Sequence, residues 1–377
     1  MSADFVRDQP PFRADHVGSL LRPERLLRAR DEHAAGDLPD DELRRIEDES
    51  IADVVRMQQD VGLRTATDGE FRRSSWHMDF IYQLDGITKT KGDIAVHFHG
   101  EQGDIDFTPS GLQVDGKIAV DTPIFAEHFD YLRSLTDGTQ STAKLTIPSP
   151  SMVHYRGGSA AIDPSVYPDI EEFWNDLSAA YAAQLRGMAE RGCRYLQLDD
   201  TSLAYLNDPN QRAELASLGE DAEHQHLRYI KQLNAAIEGR PESLNVTTHM
   251  CRGNFRSSWV AEGGYDFVAE ALFNELAVDG FFLEFDDERS GTFEPLRFVP
   301  PGKMVVLGLV TTKRGELESK DTLKRRIEEA SQYVPLEQLC LSPQCGFSST
   351  VEGNTLTYDD QVAKLSLIVE TAAEIWG

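Results

Sequence analysis

The chain has 377 residues, a length that suits a single α/β barrel, and its 40% hydrophobic and 27% charged residues are typical of a soluble globular protein. Its formal net charge of -27 argues against general nucleic-acid binding and against adhesion to anionic membranes. No apolar run reaches the ~20 residues of a membrane helix, no secretory signal pattern begins the chain, and four cysteines are too few for a disulfide scaffold. We therefore expect a cytoplasmic protein with reduced thiols.

Short β-prone runs alternate with amphipathic helical patterns along most of the chain. We predict eight strands, at 15–19, 64–70, 143–150, 194–200, 244–250, 280–286, 303–310 and 339–346. Most are followed by a helical pattern, the clearest being at 40–62, 170–192, 265–276, 321–334 and 359–376. Strands separated by helices pair in parallel through right-handed crossovers, so eight such units predict a closed (β/α)8 TIM barrel.

Residues 74–140 interrupt this alternation. They contain alternating apolar residues and glycine-rich turns, which predict a β-hairpin insertion after the second strand. Neither a linker nor a low-complexity segment divides the sequence. We therefore expect residues 1–377 to form one catalytic barrel domain.

Candidate metal ligands follow the carboxyl ends of predicted strands, where barrel enzymes keep their reactive groups. His249 and Cys251 end the fifth strand and point the same way, because side chains alternate along a strand. Glu284 lies on the sixth strand and Cys345 ends the eighth. Imidazole, thiolate and carboxylate are the donor types that bind zinc, and a site with an exchangeable position would be catalytic. The spacing therefore predicts a catalytic Zn²⁺ site.

Other interpretations of these residues stay open at this point. His249 and Cys251 could be a base and its nucleophile, although that would leave Cys345 and Glu284 without a role. They could also be ordinary core residues.

The acids that follow the second and fourth strands have simple structural explanations too. Asp199 and Asp200 could cap the turn after their strand, and Glu70 of "DGEFRR" could be an exposed loop acid. Their positions at strand ends equally suit a binding site.

Six short motifs, "HVGS", "DGEF", "LQLDD", "THMC", "FFLEFDD" and "SPQCGF", occur in this order along the chain. Together they resemble the C-terminal catalytic barrel of cobalamin-independent methionine synthase, and most closely its single-barrel relatives, over roughly residues 12 to 375. The resemblance places the family's zinc ligands on the four residues already selected by spacing. It places the homocysteine-binding positions on Val17, Ser19, Glu70 and Asp199.

The resemblance implies a zinc-dependent methyltransferase that passes a methyl group to a thiol, giving methionine from homocysteine through a zinc-bound thiolate. Its partners would be a small-molecule thiol and a methyl donor. The seventh strand departs from the family, because Thr311, Thr312 and Lys313 stand where the family has a histidine in "DIHS". The chain also lacks the N-terminal barrel of the full-length enzyme. The thiol half of the site thus matches the family while the donor half does not, which favours a methyl donor more activated than methylfolate.

Two alternative functions are weighed against this one. The first is another zinc-dependent thiol alkyl transfer, of the epoxyalkane–coenzyme M transferase type, although two acids suit the ammonium of an amino-acid thiol better than a sulfonate. The second is a non-catalytic zinc- or thiol-binding protein. A polyglutamylated folate donor would need cations at the site, and the candidates are Arg72, Arg73, Lys313 and Arg314, which could equally be solvated loop charges.

Overall fold

A curled parallel sheet of seven strands, forming a half-barrel, organises the fold. The computed structural model describes residues 7–92, 96–99, 103–108, 110–254, 257–287, 290–351 and 353–377. The strands are β1 (Thr65–Ala66), β2 (Asp85–Thr90), β3 (Val96–Phe98), β4 (Ile105–Phe107), β5 (Gly111–Ala119), β6 (Thr142–Pro148), β7 (Tyr195–Asp200), β8 (Asn245–Met250), β9 (Gly280–Glu284), β10 (Met304–Val310) and β11 (Leu339–Pro343).

Helices separate the strands of this sheet and cover it. They are α1 (Glu24–Ala34), α2 (Asp40–Asp60), α3 (Met78–Ile81), α4 (Ala126–Thr136), α5 (Ser151–His154), α6 (Ile170–Glu190), α7 (Ser202–Tyr205), α8 (Pro209–Ser217), α9 (Gln225–Ile237), α10 (Ala269–Glu275), α11 (Lys320–Ala330) and α12 (Tyr358–Trp376). Within the described ranges, no helix is both long and apolar enough to cross a lipid bilayer.

Local sequence signals account for the ends of the long helices. The side chain of Asp169 accepts a hydrogen bond from the backbone N–H of Glu171 and begins α6, which ends before Gly192 at a left-handed φ of 92°. Thr357 and Asp360 form a reciprocal capping box at the start of α12. Tyr181 on the buried face of α6 donates a hydrogen bond to the carbonyl of Pro148 in β6 at 3.0 Å, and α12 packs against β11.

The strands of the sheet follow chain order, β1-β6-β7-β8-β9-β10-β11, and every neighbouring pair is parallel. They correspond to the second to eighth predicted strands. The predicted first strand, 15–19, is not a strand; an isolated parallel bridge joins the preceding residue, Ala14, to Leu341. The eight-strand count of the sequence prediction is therefore not reproduced in the described structure.

The 15–19 segment is held by side chains rather than by a strand ladder. Three successive backbone carbonyls, those of His16, Val17 and Gly18, accept hydrogen bonds from Lys144 Nζ at 2.6 Å, Gln197 Nε2 at 2.8 Å and Thr67 Oγ1 at 2.6 Å. Backbone bonds then tie the flanking residues to both edges of the sheet, from Asp15 N–H to Leu341 and from Leu20 N–H to Gly69. The segment thus lies between β11 and β1, where a closing strand of a TIM-like barrel would lie.

Two antiparallel pairs lie in the region predicted as an insertion, 74–140. Strand β2 pairs with β5, and β3 pairs with β4 between them. Helices α3 and α4 also fall in this region, while residues 93–95, 100–102 and 109 of it lie outside the described residues. His99 and Trp259 exchange backbone hydrogen bonds of 2.7 and 2.8 Å, which fasten β3 to the loop after β8. The β3–β4 pair is thereby held over the carboxyl end of the sheet.

Gly346 is the point at which the chain after β11 approaches the 15–19 segment most closely. A Cβ at this position would lie 1.9 Å from Ser19 Oγ, well inside van der Waals contact. We expect Gly346→Ala to lower the free energy of unfolding by about 1–3 kcal/mol, as overpacked sites do. Chemical denaturation measures this loss.

The control is the double variant Ser19→Gly/Gly346→Ala, in which the clashing hydroxyl is gone. Most of the lost stability should return if the clash is the cause. A double variant as unstable as the sum of the two single variants would contradict this explanation.

Candidate active site

Four potential metal ligands converge at the carboxyl end of the sheet. The donor atoms of His249, Cys251, Glu284 and Cys345 all lie within 4.8 Å of one another, and all four side chains are buried. The two sulfur atoms are 3.5 Å apart and both thiols are free. Two thiolates bound to one tetrahedral zinc at ~2.3 Å each lie about 3.8 Å apart, so the observed spacing suits a shared ion rather than a disulfide.

The donor atoms of this cluster are poorly compensated by the surrounding protein. Neither ring nitrogen of His249 has a hydrogen-bond partner among the described residues, although both are buried. Burial, followed by the charge of Cys345, raises the pKa of Glu284 to about 7. Concentrating such donors away from water costs free energy that a bound cation offsets. The donor set of one imidazole, two thiols and one carboxylate fits Zn²⁺.

The two thiols of the cluster differ in acidity. Hydrogen bonding from Cys251, supported by His249, holds the pKa of Cys345 well below its ordinary value, while the same contact raises the pKa of Cys251. The N–H of Arg252 donates to Glu284 Oε1 at 3.2 Å and holds the carboxylate, while the N–H of Glu284 donates to Tyr265 Oη at 2.8 Å and holds the backbone.

A cleft opens beside this cluster. We call it the first cavity. Its lining includes seven of the eight residues selected from the sequence, namely Val17, Ser19, Glu70, Asp199, His249, Cys251 and Cys345. Glu284 does not line the cavity, but it completes the donor cluster. The structure therefore brings the predicted metal ligands and the predicted substrate residues to one place.

Glu70 is a buried acid with one oxygen available to a ligand. Its Oε1 accepts a hydrogen bond from Thr146 Oγ1 at 2.7 Å and lies 3.4 Å from Arg73 Nη1. Its Oε2 is buried and has no partner among the described residues. The backbone adopts a left-handed φ of 62°, which is strained for a residue other than glycine. Glu70 is only 3% exposed, so the interpretation as an exposed loop acid is wrong.

Asp199 and Asp200 occupy different environments, which separates their roles. Asp200 Oδ1 accepts hydrogen bonds from the N–H of Leu203 and the hydroxyl of Ser202, both at 2.8 Å, so Asp200 is the residue that caps the turn. Asp199 faces the first cavity, and Gln197 Nε2 donates to its Oδ1 at 2.6 Å. Burial raises the pKa of Asp199 to about 7, and the neighbouring charge of Glu70 adds to this shift.

The cations considered for a folate tail are mostly committed to acids of the chain. Arg72 is buried and pairs with Asp48. Arg73 is fully buried against Glu70, and Lys313 Nζ lies 2.9 Å from Asp286. These pairs leave no cluster of free cations at the positions where the sequence suggested one.

The first cavity also contains residues that the sequence did not single out. They are Trp76, His77, Val96, Phe98, Arg156, Thr201, Tyr205, Gly253, Asn254, Ser349 and Thr350. Most lie on connections after strands or on the short pair above the sheet, where no periodicity marks them. Nothing in the local sequence distinguishes His77 from a histidine without a function. Its place six residues after the strand-end "DGEF" was the signal that could have found it.

Comparisons with known proteins show the family to which the chain belongs. The family model described as cobalamin-independent synthase, catalytic domain, matches residues 12–374. Over 372 residues the chain is 47% identical to the protein YxjG of Bacillus subtilis, printed as uncharacterized, covering 98% of this chain and 96% of that one.

Two further relatives carry the name of an activity. A methionine synthase of Pyrococcus abyssi is 26% identical over 331 residues, covering 88% of this chain and 84% of its own. A solved structure from Listeria monocytogenes, described as a candidate vitamin-B12-independent methionine synthase, superposes with a TM-score of 0.78 at 38% identity and covers 98% of this chain and 99% of its own. The chain therefore belongs to the cobalamin-independent synthase catalytic-domain family.

Proposed function

We propose that the protein is a zinc-dependent methyltransferase that methylates a thiol, with homocysteine as the acceptor and methionine as the product. The observation that carries this proposal is the convergence of His249, Cys251, Glu284 and Cys345 beside a cavity that also contains two buried acids. Bound zinc would lower the pKa of the substrate thiol and keep its sulfur nucleophilic at neutral pH.

The residues of the first cavity supply the contacts for an amino-acid thiol. The unpartnered Oε2 of Glu70, together with the carboxylate of Asp199, would receive the ammonium group through charge-assisted hydrogen bonds. Ser19 Oγ and the backbone beside it would hold the carboxylate. Thr146 donates to one oxygen of Glu70, which also lies 3.4 Å from Arg73, and Gln197 donates to one oxygen of Asp199, so these residues would orient the two acids.

The reaction joins the homocysteine sulfur to the methyl carbon of the donor. The bond between that carbon and the donor atom breaks, and the donor leaves with the electron pair. The thiol proton is lost to solvent before the transfer. Burial of the ligand between Glu70 and Asp199 fixes the direction from which the sulfur meets the methyl group.

Two other functions compete with this proposal. Another zinc-dependent thiol alkyl transfer, such as an epoxyalkane–coenzyme M transferase, would use the same cluster, but a sulfonate would face two acids in the first cavity. A non-catalytic zinc- or thiol-binding protein would bind homocysteine without turnover. Assays with methyl donors and with epoxides, each with homocysteine and coenzyme M as acceptors, separate the three.

One tightly bound zinc per chain is the first expected result. We expect Cys251→Ser/Cys345→Ser to lose this zinc, because two of four ligands are removed. Metal analysis by mass spectrometry measures it, and circular dichroism should show that the metal-free protein stays folded, since the large core does not depend on the ion.

The control replaces the two buried cysteines outside the cluster. Cys193→Ala/Cys340→Ala should retain stoichiometric zinc. Stoichiometric zinc in Cys251→Ser/Cys345→Ser would show that the ligand assignment is wrong.

Asp199→Asn should weaken homocysteine binding roughly ten- to a hundred-fold, the effect of losing a charged hydrogen bond of about 1.5–3 kcal/mol. The zinc content should not change, because Asp199 is not a ligand. Calorimetric titration with homocysteine gives the dissociation constant. Asp53→Asn, on the surface of α2, is the matched control and should bind as the wild type does. Unchanged affinity in Asp199→Asn would refute the placement of the ammonium.

A more activated methyl donor should be used faster than methyltetrahydrofolate triglutamate. Arg72, Arg73 and Lys313 are paired with acids, so they offer the polyanionic tail little attraction in a chain of net charge -27. Initial rates of homocysteine methylation with methylcobalamin or a small methylsulfonium, at equal concentration, make the comparison. If the triglutamate is clearly faster, and Lys313→Ala removes its advantage over the monoglutamate, the donor argument is wrong.

A further inference from the structure

The side-chain oxygen of Asn254 is a polar group of the first cavity that the proposed function does not use. Asn254 lies three residues after Cys251, in the connection that follows β8, and it lines the first cavity. The residue is only 7% exposed, and its Oδ1 is buried without a hydrogen-bond partner among the described residues. A buried amide oxygen in this state costs free energy, which a hydrogen-bond donor from a ligand would offset.

The other end of the same amide fixes its orientation. Asn254 Nδ2 donates to the backbone carbonyl of Gly346 at 3.0 Å. A carbonyl only accepts hydrogen bonds, so reversing the amide would bring two oxygen atoms together. Oδ1 is therefore the atom left for a ligand, and its partner must carry an N–H or O–H group.

The turn that carries Asn254 is held in one conformation. Gly253 has a left-handed φ of 86°, and a Cβ at this position would lie 2.5 Å from Tyr205 Oη. Arg252 Nη1 donates to the backbone carbonyl of Glu284 at 2.9 Å and ties the turn to the end of β9. The amide of Asn254 is thus placed by its neighbours before a ligand arrives.

Asn254 is connected to the end of the first cavity that contains Ser19. Its bond partner Gly346 lies against Ser19, since a Cβ on Gly346 would be 1.9 Å from Ser19 Oγ. The proposed function places the carboxylate of the acceptor at Ser19. In an α-amino acid the ammonium is attached to the carbon that carries the carboxylate, so the amide of Asn254 lies at the end of the cavity that receives both groups.

The hydrogen-bonding capacity of an ammonium group matches this extra oxygen. An ammonium has three N–H donors, and the proposed function gives it two acceptors, the carboxylates of Glu70 and Asp199. Once the thiol of homocysteine is ionised, the ammonium is its remaining group with hydrogen-bond donors. Asn254 Oδ1 supplies the third acceptor.

We infer that Asn254 determines the specificity for the acceptor, and that its Oδ1 accepts the third N–H of the ammonium group. This inference rests on the proposed function and deepens it, because it names the acceptor class as thiols with an unsubstituted α-ammonium group. Glu70 and Asp199 supply the charge that attracts the ammonium, while the neutral amide of Asn254 completes its hydrogen bonds.

Two variants separate the oxygen of Asn254 from its nitrogen. Asn254→Leu has a similar branched shape and no polar atom, and it should raise the dissociation constant of homocysteine ten- to a hundred-fold, the effect of one hydrogen bond to a charged group. Asn254→Asp keeps an acceptor oxygen and loses the N–H that bonds to Gly346, and it should bind homocysteine about as tightly as the wild type. Calorimetric titration of the zinc-loaded proteins measures both.

The matched control is Asn210→Leu, which makes the same substitution at an exposed position of α8 and should bind as the wild type does. Metal analysis and circular dichroism of each variant should show wild-type zinc content and fold. If Asn254→Asp loses as much affinity as Asn254→Leu, the amide acts through Gly346 alone and the inference is wrong.

A second thiol tests whether the contact is made to the ammonium. 4-Mercaptobutanoate has the carbon chain, thiol and carboxylate of homocysteine and lacks the amino group. Asn254→Leu should lower the preference for homocysteine over this thiol ten- to a hundred-fold, because homocysteine alone loses a hydrogen bond. Loss of affinity for both thiols by the same factor overturns the inference.

Failure of the inference and failure of the proposed function give different results. If the wild type binds homocysteine and Asn254→Leu binds it equally tightly, the inference fails and the proposed function stands. If the zinc-loaded wild type binds neither thiol, the proposed function fails, and the inference fails with it.

Discussion

The binding site depends on three hydrogen bonds to the backbone of the 15–19 segment. Lys144, Gln197 and Thr67 each donate to one of three successive carbonyls, and these donors come from β6, β7 and the residue after β1. A segment without a regular strand ladder would otherwise leave buried carbonyls unpaired, at a cost of about 1–3 kcal/mol each. The polar interior of the half-barrel thus fixes the position of Val17 and Ser19, on which the substrate end of the first cavity is built.

The same interior side chains also orient the acids of the site. Gln197 spans Val17 and Asp199, and Thr146 donates to Glu70, so the segment and the two carboxylates form one connected network. Parallel register places Asp199 beside His249, which couples this network to the donor cluster. Removing a metal, a substrate or one of these side chains would therefore change the 15–19 segment, the two carboxylates and the donor cluster together.

Local patterns in the sequence predicted the seven strands of the sheet and all four members of the donor cluster, because alternation and strand-end position are properties of short segments. The 15–19 segment was predicted as a strand, which the structure does not reproduce. Its backbone is held by side chains 128 and 180 residues away, and a local pattern cannot reveal such partners. The ion pairs of Arg72 and Lys313 with acids could not be predicted either, because they depend on which residues are neighbours in three dimensions. Arg156 was not identified because it lies on a connection, where neither period 2 nor period 3.6 applies.

At Glu70 the left-handed backbone lowers the stability of the fold, whereas the carboxylate at the same position serves ligand recognition. A residue with a Cβ in this conformation costs on the order of 1–3 kcal/mol, and only the surrounding contacts keep it there. Glycine would relieve the strain but would remove a carboxylate that lines the cavity and has one oxygen without a partner among the described residues. Selection for thermal tolerance alone would thus favour loss of the acid, whereas selection for use of an amino-acid substrate would retain it. Conservation of glutamate here across relatives would record which pressure has acted.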